Sequence, residues 1–138
     1  MSLLYSVIET ASHPNFSGLY RQMSLEEQRF TNMRKVMSAL KKQAPDYIAA
    51  EFIYGYSNNY AGVNISNLDV LLYSLQKYAP DCRVIVFCNK GEEEYTNKLQ
   101  TIFPLHAVLT QPVQPADLQA VLLTRRPSMP VSGRREGR

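Results

Sequence analysis

Two carboxylates, Glu9 and Glu51, each end an apolar, β-branched run, and acids at neighbouring strand ends can pair or hold a cation. Cys88 ends a third such run and would be a nucleophile beside a histidine. His106, however, opens the following run, so parallel strands would put the two at opposite ends of a sheet. His13 and His106 are the only histidines and are too scattered to argue for a metal site. Cys82 and Cys88 form no CxxC pair and read as buried, reduced thiols. A different chemistry is offered by the segment Gly55 to Asn67. There Tyr54, Tyr56 and Tyr60 could stack on a ring, while Asn58, Asn59, Asn64 and Asn67 could bond its edge; the same residues are also ordinary turn formers. Gly55 and Gly62 make neither a dinucleotide fingerprint nor a P-loop.

Charge narrows the classes further. The chain has 138 residues and a net charge of +3. Residues 124–138 hold five arginines and one acid, a net +4, which leaves −1 on residues 1–123. The basic bias is therefore a property of an Arg/Pro/Ser/Gly-rich tail, read as flexible, and gives residues 1–123 no bias toward nucleic acid. No apolar run approaches the roughly 18 residues of a membrane helix, and no secretory leader is legible, so the expectation is a cytoplasmic protein without a membrane partner.

The elements that must position these residues alternate. Leu3 to Glu9 reads as a buried strand, followed by a loop in which Phe16, Leu19, Tyr20 and Met23 have helical spacing. Ser24-Leu-Glu-Glu27 has the form of a capping box, which predicts a helix running to about Gln43 with Phe30, Met33, Val36, Met37 and Leu40 inward. Asp46 to Tyr54 reads as a second strand. A helix capped by Ser66 or Asn67 then buries Leu68, Leu71, Leu72 and Leu75. Arg83 to Cys88 is an unbroken apolar strand, Glu92 to Glu94 open a helix, His106 to Thr110 is a fourth strand, and Pro115 opens a last helix through Leu123. This order predicts a three-layer α/β/α sandwich on a parallel sheet, one domain over residues 1–123 and a tail over 124–138.

The pattern resembles a response-regulator receiver domain, a flavodoxin-like fold. In that family Pro-Asp precedes the strand that ends in the phosphoacceptor aspartate; Pro45-Asp46-Tyr-Ile-Ala-Ala-Glu51 has the same spacing but ends in glutamate. The resemblance implies a Thr or Ser where this chain has Cys88, and a Lys-Pro where it has Gln111-Pro112. It also implies two acids for Mg²⁺ where this chain has Glu9-Thr10. Phosphotransfer to a carboxylate needs a divalent cation and a positive group for the product, and misplacing the acceptor by about 1 Å can cost a hundredfold. The expectation is a degenerate pseudo-receiver: no enzyme, no cofactor, no metal, not phosphorylated, acting by protein–protein interaction in intracellular two-component-type signalling. Its contact surface, by resemblance, is the fourth- and fifth-strand face with the helix from Glu92 to Phe103. A sharper form has Glu51 imitating the phosphorylated aspartate, against a Glu51 that is solvated or paired with Lys90. The alternative function is a small-ligand or nucleotide-binding domain using the 55–67 loop.

Only 14 residues separate Glu9 from Ser24, too few for both the first helix and second strand of a receiver. Four main strands are therefore expected, with the usual second strand missing or degenerate. A bare edge on the first strand, or the sheet face left thinly covered, would then be closed by a second copy, as a homodimer, or by another protein.

Overall fold

The computed structural model describes residues 2–54 and 66–124; the predicted tail beyond Thr124 and most of the 55–67 loop lie outside them. The chain alternates strand and helix: β1 (Ser2–Val7), α1 (Ser17–Gln22), β2 (Leu25–Phe30), α2 (Met33–Lys42), β3 (Tyr47–Glu51), α3 (Asp69–Tyr78), β4 (Arg83–Cys88), α4 (Glu93–Asn97) with a 3-10 turn (Lys98–Thr101), β5 (Ala107–Thr110) and α5 (Pro115–Leu123). The strands form one parallel sheet in the order β2-β1-β3-β4-β5. None of the described helices is long and apolar enough to cross a membrane.

The central strands are buried on both sides, which is why their sequences lack polar alternation. Leu3, Tyr5, Val7, Ile48, Ala50, Val84 and Val86 pack toward Val36, Leu40, Leu71, Leu72, Leu75 and Leu99 on α2, α3 and the 3-10 turn. The opposite face, Leu4, Tyr47, Ala49, Ile85 and Phe87, packs on Phe16, Tyr20, Leu118 and Leu122 of α1 and α5. Each fully buried aliphatic side chain contributes about 1.5–3 kcal/mol by leaving water. Polar ties fix the layers. The Tyr5 hydroxyl donates to the Gln43 carbonyl at 2.7 Å, and Asp46 accepts the Leu3 amide at 2.8 Å.

Two expectations are corrected. The sheet has five strands, not four, and the residues assigned to the first turns of a long helix form β2. Ser24 is not an N-cap; it has φ of +62° and reverses the chain directly from α1 into β2. The cap of α2 is Asn32, whose side chain accepts the Lys35 amide at 3.1 Å. The first helix is compressed to six residues, so the strand fits by starting after Ser24 rather than before it. Consequently β1 is paired on both sides and offers no bare edge; β2 is the edge, and its Glu26, Glu27 and Arg29 are charges of the kind that discourage edge-to-edge pairing.

Candidate functional site

The carboxyl ends of β1 and β3 lie side by side, and the sheet register brings Glu51 to the loop that leaves β1. Glu51 Oε1 accepts the backbone amides of Glu9 at 3.0 Å and Thr10 at 2.9 Å. Glu51 is thus neither simply solvated nor paired with Lys90, as two of the sequence readings had it; main-chain donors hold its charge. Glu9 contributes its backbone to this contact, while its side chain turns to Asn67, whose Nδ2 donates to Glu9 Oε2 at 3.4 Å. The two carboxylates therefore do not face one another as an acid pair. Among the described residues no three His, Cys, Asp or Glu side chains converge in a way that could hold a metal ion.

Asn67 is the hub of this corner. It is 5% exposed, accepts the Ile53 amide at 2.8 Å, and donates to the Glu51 carbonyl at 2.8 Å. With the Tyr54–Ser66 bridge it closes the base of the 55–65 segment. Its side chain is occupied by this structural work and does not reach out to a ligand. The expected cap of α3 by Ser66 or Asn67 is corrected: the N-cap is Leu68, without a side-chain cap, and Ser66 instead ties the turn before it, its hydroxyl accepting the Leu68 amide at 3.1 Å while Asp69 accepts the Ser66 amide at 2.8 Å.

Just beyond β5, Gln111 is bonded to His13 and Val113, with no contact to Glu51 among the described residues. Its Nε2 meets His13 Nε2 at 2.9 Å, and its Oε1 accepts the Val113 amide at 3.2 Å. His13 Nδ1 lies 2.9 Å from the Pro14 carbonyl. A carbonyl only accepts, so Nδ1 is the donor in that contact, and the Gln111 amide donates to Nε2. The Gln111–Pro112 peptide is cis. His13 also packs against Phe87, with ring centroids 5.2 Å apart, so an aromatic pair stands near the end of β4.

Cys88 does not join this group. The thiol is buried in the core on the α2–α4 side, burial raises its pKa, and a hydrogen bond with Thr110 opposes that shift. Both cysteines are free and buried, as expected. His106 lies at the opposite end of the sheet, where its Nε2 contacts the Val121 carbonyl at 3.0 Å. Of the proposed ring-binding loop, Tyr56, Asn58, Asn59, Tyr60 and Asn64 lie outside the described residues. Tyr54 is described and stacks on Tyr95 of α4 at 4.1 Å, with half its surface exposed.

From sequence, His13 is weighed only as a metal ligand, and Asn67 is given two alternative roles. No residue pattern marks His13, because its partners Gln111 and Phe87 come from distant strands.

No family model matches the chain, and no curated protein matches it in sequence. Solved structures do match in shape. A response regulator receiver domain from Clostridium thermocellum superposes with a TM-score of 0.69 at 14% identity, covering 88% of this chain and 91% of that one. The fold is receiver-like. A protein described as an adenylate cyclase from Rhodopirellula baltica matches at 0.66 and 12% identity, over 88% and 84% of the two chains. A response regulator from Burkholderia pseudomallei, solved with a phosphorylated aspartic acid, calcium ion and citrate, matches at 0.64 and 16% identity, over 90% and 68%. Identities this low carry the fold and leave the chemistry to the residues.

Proposed function

We propose that this chain is a degenerate receiver, a cytoplasmic, non-catalytic module of two-component-type signalling that works by binding a protein partner without being phosphorylated. The observation that carries the reading is the state of Glu51: its Oε1 is already engaged by two main-chain amides. A nucleophilic acceptor needs a free, well-placed oxygen and a cationic group for the product. Here the residue in the lysine position, Gln111, is neutral and bonded to His13.

Glu51 also offers a reason why no phosphoryl group is needed. A charged carboxylate that permanently holds the β1–α1 loop does structurally what a switch would do only on modification.

A partner surface is supported by exposed apolar groups. Tyr54, Val70 and Tyr73 are 51%, 50% and 58% exposed; the latter two are one helical turn apart on α3, and Tyr54 stacks on α4. The β5 edge, Ala107–Thr110, is uncharged and half-buried, and self-association would use this edge rather than β1.

The test is intact-protein mass spectrometry after incubation with acetyl phosphate and Mg²⁺. No mass increase is expected. A gain of one phosphoryl group that disappears in Glu51→Gln would overturn the reading.

A further inference from the structure

A cavity of about 210 Å³ opens where β1, β2 and α1 meet, lined by the 9–17 loop and by Ser6, Tyr20, Glu27, Arg29 and Phe87. In the parallel β1–β2 ladder Leu4 stands beside Glu27 and Ser6 beside Arg29. Partners in such a ladder put their side chains on the same face, and Leu4 belongs to the core under α1 and α5. Ser6, Glu27 and Arg29 therefore point to the side that elsewhere on the sheet is apolar.

Some of the polar side chains around this space lack a partner among the described residues. Tyr20 is 2% exposed and Ser6 is 6% exposed, yet neither hydroxyl forms a hydrogen bond among the described residues. The Ser17 hydroxyl is buried and has no partner among the described residues. Glu27 and Arg29 form no ion pair, with each other or with any described residue. Buried polar groups in folded proteins almost always have partners, so the buried Ser17 hydroxyl, beside the Ser6 and Tyr20 residues that line the same space, points to a polar occupant of the cavity.

We propose that this cavity binds a small zwitterion, a free α-amino acid. The guanidinium of Arg29 offers a planar fork for a carboxylate, and the Glu27 carboxylate accepts from an ammonium group. A simple anion entering here would meet Glu27 and Glu9, and a simple cation would meet Arg29; a ligand carrying both signs satisfies both. The three hydroxyls complete the polar shell, while Phe16, Phe87 and Ile8 supply an apolar wall for the ligand's side chain. The space suits a molecule of roughly ten non-hydrogen atoms. For a ligand of that size, affinity falls in the micromolar to millimolar range.

The experiment is a titration of the ¹⁵N-labelled protein by two-dimensional NMR with individual free L-amino acids. Acetate, methylammonium and glycerol serve as single-charge and polyol controls. At least one amino acid is expected to give saturable shifts at the amides of Ser6, Ser17 and Tyr20. Arg29→Gln and Glu27→Gln should each weaken it by about tenfold or more. Arg29→Lys, which keeps the charge but not the fork, should fall between. Both side chains lie on an edge strand and neither is buried, so the variant spectra should otherwise overlay on the wild type. The proposal is overturned by an absence of shifts with every amino acid at about 10 mM, by equal binding of acetate or methylammonium, by binding of glycerol alone, or by full affinity in both neutralised variants.

Discussion

The carboxylate of Glu51 holds the backbone amide of Thr10 at 2.9 Å, so the end of β3 is clamped to the loop that leaves β1. The same oxygen takes the Glu9 amide, and charge-assisted bonds of this kind are stronger than neutral ones. Glu51→Ala is expected to destabilise the protein by about 1–3 kcal/mol, and Glu51→Gln by less, since an amide oxygen can still accept both bonds. Urea unfolding measures the loss, and hydrogen exchange should locate it at the Glu9 and Thr10 amides. Unchanged protection of those two amides in Glu51→Ala would show that the clamp does not exist in solution.

Asn67 supports the same corner from beneath. Its side chain joins Ile53, Glu51 and Glu9, and removing it strands the Ile53 amide. Asn67→Ala is expected to lose about 2–3 kcal/mol, at the upper end for a polar truncation because one deletion removes three contacts. Asn67→Asp keeps the acceptor for Ile53 but brings a negative charge toward Glu9 and Glu51. Protonating that new acid relieves the repulsion, so this variant should regain stability relative to wild type as pH falls below about 6. A constant gap between the two proteins from neutral to mildly acidic pH would contradict this.

The strands with unbroken apolar sequence were legible because burial on both faces leaves a run such as Val84-Ile-Val-Phe with no other home. So were the Pro115 helix start and the inward leucines of α3. Leu25-Glu-Glu-Gln-Arg-Phe30 was not. Its residues favour helices, and only its place at the sheet edge, where Leu25 and Phe30 are half-buried on opposite faces, makes it a strand. That misreading also hid the cavity, because Glu27 and Arg29 share a face only with the period of a strand. Around Glu51, sequence located the residue but not its partners: backbone amides leave no trace in residue identity. Gln111 could be seen to lack a charge, whereas its contact with His13 joins residues 98 positions apart.

Ser24 is the described non-glycine residue with positive φ, +62°, at the reversal between α1 and β2. A Cβ is unfavourable in this conformation, and glycine adopts it freely. Ser24→Gly should therefore stabilise the protein by about 0.5–1 kcal/mol, with part of the relief offset by the greater freedom of glycine in the unfolded chain. Ser24→Val should lose at least as much. Thermal melts of the three proteins give the order directly, and a glycine variant that melts below wild type would remove the argument from backbone strain.

Alkaline stability follows from Cys82. Burial pushes its thiol from an ordinary 9.0 up to about 12; nearby Asp46 adds to the rise and Arg83 opposes it. Between those limits the unfolded chain gives up this proton and the fold keeps it. The folded state then binds more protons, so the contribution is fully present below about pH 9 and is lost as pH rises toward about 12. Between about pH 9 and about pH 10.5 the thiol should account for a loss on the order of 1–2 kcal/mol. Cys82→Ala lowers stability at every pH through the space it leaves, but it removes the titrating group. Its stability should decline less steeply over that window, as read from urea midpoints at the two ends. Tyr20 and Cys88, whose pKa values burial also raises, keep a residual slope in both proteins. Parallel curves for wild type and Cys82→Ala would mean that the fold does not hold the Cys82 proton.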